Sequence, residues 1–465
     1  MPLAIWWIRR DLRLHANAAL NAALRDGFAP LPLFILDPHL LHNRFTAPQR
    51  GGFLSASLHD LAAALEARGA YLLVRRGDPL AVLRQVLAES GATRIYAEED
   101  YTPYARRRDA RVARDLPLVH VLGLTVHHPD SVRKPDGTPY TVFTPFSRAW
   151  KALPLPSADA GLSIPTPWPP VPRLPGDPLP EMPPPPAFPA GEAAAQARLQ
   201  EFLAAAVYDY AVARNRLDLD GTSRLSPYLR FGLLSARQVV QAARNALTQA
   251  AHPAARRGVE TFINELIWRE FYHSILYHFP QVVKTAFRPA YRDLPWRTAP
   301  EDLRAWQEGR TGYPIVDACM RQLQHEGWMH NRGRMIVASF LVKDLLINWQ
   351  EGERWFMQHL VDGDIAANNG GWQWAAGTGT DAAPYFRIFN PVLQSRQFDP
   401  EGHFIRRWVP ELAALPTEYL HAPWQMPLEV QRRFGVRIGH DYPAPLVDHA
   451  LARARALAVF RRVSG

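Results

Sequence analysis

The chain has 465 residues, enough for two or three domains, and its 47% apolar and 21% charged residues are typical of a soluble globular protein. A single cysteine, Cys319, excludes an internal disulfide and any iron–sulfur or zinc site built on several thiolates. The net charge of +9 favours a polyanionic partner such as nucleic acid. No apolar run is long enough to cross a membrane, and the first residues have the pattern of a strand rather than of a signal peptide. We therefore expect a cytoplasmic monomer that binds no metal and contacts no membrane.

Residues 1–130 alternate short apolar runs with amphipathic ones, which is the pattern of a parallel α/β sheet. The turn after the first run, from Arg9 to Arg13, contains no glycine, so this Rossmann-like domain lacks the usual dinucleotide fingerprint. The predicted strands cover residues 4–8, 31–36, 71–74, 94–97 and 118–122, and the predicted helices lie near residues 16–25, 52–68, 79–89 and 104–115.

Residues 131–191 are predicted to be an interdomain linker, because 15 of the 43 prolines fall within residues 154–189 and proline breaks helices and central strands. From residue 192 to residue 465 the patterns are helical, with no strand pattern of comparable strength. The expected fold is an α/β N-terminal domain joined by a long Pro-rich linker to an all-α C-terminal domain. The predicted helices of that second domain cover residues 192–207, 236–247, 257–279, 315–324, 331–349 and 352–360.

The most unusual stretch covers residues 362–386 and is rich in glycine, asparagine, aspartate and tryptophan. It is too polar for an ordinary core helix and too aromatic for an ordinary loop. Glycines let a backbone approach a flat ligand, amides and carboxylates supply hydrogen bonds, and indoles supply stacking faces. The stretch therefore indicates a site for a planar molecule rich in heteroatoms, and the alternative is a surface loop anchored by two tryptophans.

Three other segments could carry chemistry. Glu265, Trp268 and Arg269 share one face of a predicted helix, where the alternative is a solvated Glu265–Arg269 ion pair. Arg332 and Arg334 are phosphate candidates after Asn331, where the alternative is an N-cap formed by Asn331. The segment 221–227 offers hydroxyl and N–H groups for a phosphate at a helix start, and its alternative is also a simple N-cap.

Taken together, these segments resemble the photolyase/cryptochrome family over residues 3–450, and most closely its class I cyclobutane pyrimidine dimer (CPD) photolyases. The motifs that carry the resemblance are Trp-Ile-Arg-Arg-Asp-Leu-Arg from residue 7, Gly-Thr-Ser-Arg-Leu-Ser-Pro from 221, Glu-Leu-Ile-Trp-Arg-Glu-Phe-Tyr from 265, Gly-Tyr-Pro-Ile-Val-Asp-Ala-Cys-Met-Arg from 312, Trp-Met-His-Asn-Arg from 328 and Asp-Gly-Asp-x-Ala-Ala-Asn-Asn-Gly-Gly-Trp-Gln-Trp from 362.

The resemblance implies a light-driven lyase that repairs UV-damaged DNA. Excited, reduced FAD would donate an electron to a pyrimidine dimer flipped out of the duplex, and the cyclobutane ring would split. Residues implied to act in catalysis are Glu265, which would hydrogen-bond the dimer, Asn368, which would face flavin N5, and Met335. A chain of three tryptophans, Trp296, Trp349 and Trp372, would carry electrons inward from the surface.

The resemblance also implies two sets of binding residues within residues 192–465, the implied FAD- and DNA-binding domain. Those for FAD are Tyr210, Thr222, Ser223, Arg224, Leu225, Ser226, Glu265, Asn331, Arg334, Asp362, Gly363, Asp364 and Asn368. Those for damaged DNA are Arg214, Trp268, Arg269, Asn331, Arg332, Trp374 and Gln394.

The main alternative is a cryptochrome, a blue-light receptor without repair activity. Plant-type receptors resemble this motif with aspartate at position 368 and insect-type receptors with cysteine, whereas this chain has Asn368, and it ends without a long tail. A six–four photoproduct lyase would carry a histidine pair in the segment 328–335, which here has the CPD-type pattern. A flavin oxidoreductase lacks support because no nicotinamide fingerprint is present.

A second, light-harvesting chromophore is implied in residues 1–130. Relatives that use folate carry an Asn-Glu pair where this chain has Tyr104 and Ala105, and alanine cannot accept a hydrogen bond from a pterin. The resemblance therefore favours 8-hydroxy-5-deazaflavin or FMN over methenyltetrahydrofolate, near Asp100 and Arg106. The alternative for residues 106–108 is a solvated basic helix face.

Overall fold

The computed structural model describes residues 1–41, 43, 45–156 and 163–464. It contains one five-stranded parallel sheet in the order β3-β2-β1-β4-β5. Each strand lies within two residues of its prediction, and the predicted α/β fold of this region is confirmed. The strands are β1 Leu3–Ile8, β2 Ala29–Leu36, β3 Leu73–Arg76, β4 Arg94–Glu98 and β5 Leu118–Val121.

The rest of the described chain is mainly helical, as predicted, and short 3-10 turns connect several of the helices. In chain order the α-helices are α1 Ala18–Arg25, α2 Pro38–Leu41, α3 Pro48–Glu66, α4 Pro79–Ser90, α5 Pro103–Asp115, α6 Phe143–Ala152, α7 Glu192–Ala204, α8 Tyr210–Ala213, α9 Ser226–Arg230, α10 Ala236–Gln249, α11 Pro253–His278, α12 Pro300–Gln307, α13 Pro314–Glu326, α14 Asn331–Ser339, α15 Trp349–His359, α16 Ile365–Ala376, α17 Pro391–Phe398, α18 His403–Trp408, α19 Thr417–Leu420, α20 Leu428–Phe434 and α21 His449–Ser464. No helix in the described parts of the chain is both long and apolar enough to span a membrane.

The sheet folds because its central strands are buried on both faces. All eight residues of β2 are buried, and β1 is buried from Ala4 to Ile8. Such continuous apolar runs are typical of parallel strands covered by helices. The strand order reverses between β1 and β4, and in open α/β sheets ligands bind outside the carboxyl ends of the strands at that point. Arg9 and Arg10 follow β1 there, and Asp100 follows β4.

The chain divides into two compact units, each built from separate segments. Unit 1 comprises Met1–Tyr208, Ser223–Pro280 and Val361–Ala366, and unit 2 comprises Asp209–Thr222, Gln281–Leu360 and Ala367–Gly465. Unit 1 thus contains the sheet, the predicted linker and four helices of the predicted C-terminal domain. The functional boundaries predicted at residues 130 and 191 stay a prediction.

The structure corrects two of the predictions about helices. The helix predicted over residues 331–349 is interrupted, because the backbone passes into a π-helix at Phe340–Asp344 and Leu346 has a φ of +54°. Asn348 then caps α15 by accepting from the N–H of Gln350 at 3.1 Å, and a separate helix begins there. The predicted linker also contains a helix, α6. Residues 157–162 of the linker lie outside the described residues.

The stretch 362–386 contains the helix α16, which the sequence analysis did not predict. Its glycines and asparagines are weak helix formers, but tertiary hydrogen bonds from the side chains of Asn369 and Gln373 hold this segment in place. Gly377 ends the helix with a φ of +82°. Tertiary context has therefore overridden propensity in this stretch.

The C-terminal helix α21 completes the core of unit 2 around a buried lysine. Lys343 Nζ donates to the carbonyl of Ala376 at 3.0 Å and lies 3.4 Å from the ring centre of Phe460. Burial lowers the pKa of Lys343 to about 7. Phe460 also packs on Trp296, with 6.2 Å between ring centres, so the helix covers one side of that indole.

Candidate active-site residues

Helix α16 exposes a strip of small residues in unit 2. Ala367 and Gly371 lie one turn apart and are exposed, while Asn368 and Trp374 beside them are half-buried. A Cβ atom added at Gly371 would meet no protein atom within 4 Å. The backbone of the helix is therefore open on this face, and a flat ligand can lie directly against it.

The side-chain amide of Asn368 is held in one orientation. Its Nδ2 donates to the backbone carbonyl of Glu353 at 3.0 Å. Because a carbonyl oxygen can only accept, the nitrogen of the amide must face Glu353, and Oδ1 is left to accept a hydrogen bond. An acceptor beside an open backbone face suits a planar ligand with a ring N–H, such as a reduced flavin.

The side chains of the neighbouring Asn369 and Gln373 stabilise the fold. Asn369 Nδ2 donates to the carbonyl of Val282 at 3.0 Å and to Glu353 Oε1 at 2.8 Å. Gln373 is buried and its Oε1 accepts from the N–H of Phe287 at 2.8 Å. The two asparagines of the Asn-Asn pair therefore differ, and only Asn368 is available for a ligand in the way that the resemblance implies.

Helix α14 places Asn331 and Met335 one turn apart, as predicted. His330 caps this helix, with its Nδ1 accepting from the N–H of Arg332 at 3.1 Å, so the alternative that Asn331 is the N-cap is wrong. Asn331 is exposed, and its Nδ2 lies 3.9 Å from the sulfur of Met335. The pair offers an amide and a soft apolar group side by side.

Three other predicted FAD residues lie in unit 2, namely Tyr210, Thr222 and Arg334. Tyr210 is buried, with the guanidinium of Arg214 at 5.7 Å from its ring centre. Arg334 is half-buried and its Nε donates to the carbonyl of Met329 at 2.8 Å, which fixes the side chain near the start of α14.

Three arginines of unit 2, Arg214, Arg332 and Arg387, form a basic cluster. Burial, followed by the charges of Arg214 and Arg387, lowers the pKa of Arg332 to about 10. Arg332 Nη2 donates to Asn215 Oδ1 at 2.6 Å, and the guanidinium lies 4.2 Å from the ring centre of Phe398. Like charges held together in this way are stabilised by an anion, so the cluster is a candidate for a phosphate.

The remaining DNA-binding predictions in unit 2 are Trp374 and Gln394, both half-buried. Trp374 packs against the core of the unit, and Gln394 lies on α17. Sequence reasoning missed Arg387 of the basic cluster and the adjacent Phe386, which is 61% exposed. An exposed aromatic side chain next to an arginine was the available signal, because that pairing suits a nucleic acid.

The three predicted electron-carrying tryptophans belong to one aromatic core of unit 2. Trp349 and Trp372 are 3% and 2% exposed, whereas Trp296 is half-buried at the edge of that core. This order of burial is the one that an inward electron path needs. Trp306 also lies in this core, at 6.0 Å from Trp372 between ring centres, and Phe356 lies at 5.0 Å.

In unit 1 the face of α11 is arranged as predicted, with Glu265 and Trp268 half-buried on the same side. Trp268 stacks on Phe143, with 3.7 Å between ring centres and 4° between planes. Phe143 starts helix α6 inside the predicted linker and was missed. The signal was the spacing of Phe143, Phe146 and Trp150, which is that of one helix face.

Arg269 and Glu270, on the same helix, are tied to the loop after β5. Arg269 Nη1 donates to the carbonyl of Leu124 at 3.0 Å, and burial lowers its pKa, so Arg269 is not a solvated ion-pair partner. Glu270 accepts from the N–H of Val126 at 2.6 Å and from Trp150 Nε1 at 3.0 Å. The DNA contact predicted for Arg269 stays a prediction.

The segment 222–226 continues into unit 1 with a strained backbone at Arg224, whose φ is +52°. Such a conformation in a residue other than glycine is typical of functional loops. Arg198 Nε donates to the carbonyl of Ser223 at 2.9 Å. Leu225 precedes α9 without a side-chain cap, so the simple N-cap alternative is wrong. Since α9 has only five residues, its dipole is weak, and Ser226 at its start is exposed.

The predicted FAD segment 362–364 is buried in unit 1 and held by arginines. Arg230 Nε donates to the carbonyl of Gly363 at 2.8 Å, and Arg10 Nη2 lies 2.5 Å from Asp364 Oδ2. Burial alone would raise the pKa of Asp364, but the neighbouring His273, Arg10, Arg230 and Arg269 together outweigh it and hold the pKa well below its usual range. Asp364 is therefore ionised at any physiological pH, and Asp362 is buried beside it in sequence.

The predicted antenna residues Asp100 and Arg106 already have protein partners in unit 1. Asp100 Oδ1 accepts from the N–H of Thr102 at 2.9 Å. Arg106 donates to the carbonyl of Tyr277 at 2.8 Å and lies 4.4 Å from its ring centre. Ala105 is buried at 2% exposure, consistent with a position that makes no polar contact. Arg106 and Arg107 are nevertheless exposed, whereas Arg108 is buried, so the solvated-face alternative stays open for the first two.

The described residues contain no group of three histidine, cysteine, aspartate or glutamate side chains arranged to hold a metal ion. The open face of α16 with the oriented amide of Asn368 fits a flavin. The loop at Arg224, whose backbone has a positive φ, has the strained conformation that is common in ligand-binding sites.

Comparisons with known proteins agree with this arrangement. Residues 4–170 match the family model "DNA photolyase", and residues 262–462 match the "FAD binding domain of DNA photolyase". The deoxyribodipyrimidine photo-lyase of Escherichia coli is 42% identical over 482 residues, covering 99% of this chain and 98% of that protein.

Two solved structures have the same fold. A class III photolyase from Agrobacterium tumefaciens is 36% identical with a TM-score of 0.88, covering 100% of this chain and 98% of that chain. A cryptochrome from Synechocystis is 31% identical with a TM-score of 0.86, covering 99% of both chains. The chain is a DNA-repair flavoprotein that contains a DNA photolyase domain and an FAD-binding domain. It belongs to the photolyase/cryptochrome family.

Proposed function

We propose that this protein repairs cyclobutane pyrimidine dimers in UV-damaged DNA with light as the energy source, and that it holds FAD as its catalytic cofactor. The observation that carries the proposal is the oriented amide of Asn368 on the open face of α16. An asparagine there supports repair chemistry over a light receptor, in which the resemblance leads us to expect aspartate or cysteine. The E. coli relative, named a deoxyribodipyrimidine photo-lyase, supports the same conclusion.

FAD, when bound and reduced, supplies the electron that splits the dimer. In unit 2 the residues that would hold it are Tyr210, Thr222, Asn331, Arg334 and Asn368. In unit 1 they are Ser223 to Ser226, Glu265 and the segment 362–364. Asn368 Oδ1 would accept from a ring N–H of the reduced cofactor, and its bond to Glu353 keeps that acceptor in place without further reorganisation.

The proposed DNA contacts have separate tasks. The basic cluster of Arg214, Arg332 and Arg387 would bind the phosphate backbone, which accounts for affinity rather than for selection of the lesion. Trp268 would stack on a flipped base with at most one face, because Phe143 covers the other. A poorly stacked dimer costs less to flip than a normal pair, which favours the lesion.

Glu265 is the group that we propose to hydrogen-bond the dimer. Replacing it with alanine should lower the rate of dimer repair roughly 10- to 150-fold, because a hydrogen bond to a charged group contributes about 1.5–3 kcal/mol. FAD should stay bound, because the other residues proposed to hold it are unchanged. The measurement is loss of dimers from irradiated DNA under blue light.

Glu260 provides the matched control for Glu265, since it lies on the same helix and forms an exposed pair with Arg256 at 3.3 Å. Glu260→Ala should repair dimers like the unmodified protein. Equal repair by both variants would contradict the role of Glu265, and an unmodified protein that repairs no dimers in light would end the proposed function.

The open face of α16 gives a test of the FAD site. Gly371→Ala should stabilise the FAD-free protein by about 0.5–1 kcal/mol, because the added methyl meets no protein atom and alanine favours a helix. The same methyl should occupy space that the cofactor needs, so FAD affinity should fall at least about tenfold, equivalent to roughly 1.4 kcal/mol. Fluorescence titration and thermal unfolding measure the two effects, and an unchanged FAD affinity would show that the cofactor does not lie on α16.

We propose 8-hydroxy-5-deazaflavin or FMN as the antenna, in the region of Asp100 and Arg106 at the carboxyl end of the sheet. The side chain of Ala105 offers no hydrogen-bond acceptor, and the hydroxyl of Tyr104 already donates to Asp37. The residues at positions 104 and 105 are therefore poorly suited to bind a pterin. Mass spectrometry of chromophores extracted from protein made in a host with all three compounds should find one deazaflavin or FMN per chain. Recovery of one methenyltetrahydrofolate per chain would overturn this assignment.

We propose further that the enzyme acts as a monomer in the cytoplasm. Its one cysteine, Cys319, is a buried thiol, which suits a reducing compartment. Sedimentation of the purified protein at several concentrations would test the monomer, since a mass that rises with concentration excludes it.

A further inference from the structure

Arg10 joins three segments of unit 1 that are distant in sequence. Its Nη2 lies 2.5 Å from Asp364 Oδ2, its Nη1 lies 3.6 Å from Asp100 Oδ2, and its Nε donates to the carbonyl of Arg230 at 3.2 Å. Asp364 belongs to the proposed FAD segment, and Asp100 belongs to the proposed antenna region. One guanidinium therefore contacts both.

The surroundings make these contacts costly to lose. The side chains of Arg10 and Asp364 are 13% and 10% exposed, so neither can exchange its partner for bulk water. His273 Nε2 lies 4.0 Å from Asp364 Oδ1, but burial lowers the pKa of His273 to about 3, so it stays neutral and cannot replace the arginine. Removing Arg10 takes away the guanidinium that pairs directly with this carboxylate and leaves the charges of Arg230 and Arg269 to act on it.

The same guanidinium also reaches the FAD segment by a second route. Arg10 holds the carbonyl of Arg230, and Arg230 Nε in turn donates to the carbonyl of Gly363 at 2.8 Å. Both the side chain of Asp364 and the backbone of Gly363 are thus fixed from the end of β1. The turn after β1 therefore sets the position of the segment 362–364.

We propose that Arg10 is a positioning residue that holds the segment 362–364 for FAD and couples FAD affinity to the state of the antenna region through Asp100. The inference rests on the proposed function, which assigns FAD to that segment and the antenna to the neighbourhood of Asp100. A ligand that engages Asp100 changes how the charge of Arg10 is shared between the two carboxylates. By linkage, the effect on the two affinities is reciprocal.

The test is a set of binding measurements on the full chain. Arg10→Gln should raise the dissociation constant of FAD roughly tenfold or more, as expected for loss of one partner of a buried pair. Arg10→Lys should recover part of the affinity, because lysine keeps the charge but cannot contact all three groups at once. The matched control is Arg111→Gln, which removes an arginine from an exposed ion pair with Asp78 in the same unit and should leave FAD affinity unchanged.

A double-mutant cycle separates positioning from general destabilisation. Arg10→Gln and Asp364→Asn should together weaken FAD binding less than the product of their separate effects, because both remove the same contact. Additive effects would mean that Arg10 acts by another route and would overturn the inference.

The coupling is measured with 8-hydroxy-5-deazariboflavin as the probe. In the unmodified protein its saturation should change the dissociation constant of FAD several-fold, roughly fivefold or more, and in Arg10→Gln that change should vanish. An equal change in both proteins would overturn the coupling. FMN replaces the deazaflavin as the probe if the latter does not bind, and failure of the unmodified protein to bind FAD, or to bind either antenna compound, would instead contradict the proposed function, so the two failures are distinguishable.

Discussion

Trp296→Phe should abolish light-driven reduction of the bound, oxidised flavin and leave dimer repair by chemically reduced enzyme unchanged. Trp296 is half-buried at the edge of the aromatic core of unit 2, whereas Trp349 and Trp372 are almost fully buried. Phenylalanine keeps an aromatic ring against Phe460 but is far harder to oxidise than indole. The substitution therefore removes a redox group with little change in packing.

The measurement is flavin absorbance during blue illumination in the presence of an external reductant. Trp408→Phe is the matched control, because Trp408 is also half-buried and packs against the same core. That control should keep normal photoreduction. Unchanged photoreduction in Trp296→Phe would mean that electrons enter by another route and that Trp296 is ordinary packing.

Gly352→Ala should destabilise the same core. A Cβ atom at position 352 would lie 2.0 Å from Cη2 and 2.5 Å from Cζ3 of Trp372. That indole cannot move aside easily, since Phe356 and Trp306 pack against it and it is 2% exposed. Overpacking of this kind costs about 1–3 kcal/mol or more, and the helix preference of alanine offsets no more than about 1 kcal/mol.

We therefore expect a net loss of about 2 kcal/mol in the free energy of unfolding, measured by denaturant titration, together with slower photoreduction. Gly371→Ala is the comparison, because the same chemical change is made on a helix face where the new methyl meets nothing. Equal stability of Gly352→Ala and the unmodified protein would mean that Trp372 is loosely packed, contrary to its contacts.

Much of the α/β region could be predicted from the sequence because its signals are local. Apolar runs such as that of β2 alternate with amphipathic helices, and each boundary has a turn residue or cap nearby. Helix α16 could not be predicted in this way. Asn369 and Gln373, which hold it in place, donate hydrogen bonds to the carbonyl of Val282, which lies 87 and 91 residues earlier in the chain. The end of α14 at Ser339 could not be predicted for a related reason, since neither the π-helix that follows nor the strained backbone at Leu346 has a sequence signature.

The site shows the same limit. The resemblance indicated Asn368, Glu265 and Trp268, and the structure adds the hydrogen bond that orients Asn368 and the ring that stacks on Trp268. It also adds Phe143, which determines the side of Trp268 that is available to a ligand. The contact of Arg10 with Asp364 joins residues 354 positions apart, so no window of sequence could reveal it.

The discontinuity of the two units has a consequence for how the protein is made. Unit 1 receives its last segment, Val361–Ala366, only after two of the three segments of unit 2 have been synthesised, and the first segment of unit 2 is inserted in the sequence of unit 1. Neither unit can therefore be obtained by cutting the chain once. On the ribosome Asp364 is added only when about four-fifths of the chain has been translated, so until then Arg10 lacks this ion-pair partner and the turn after β1 cannot reach its final set of contacts.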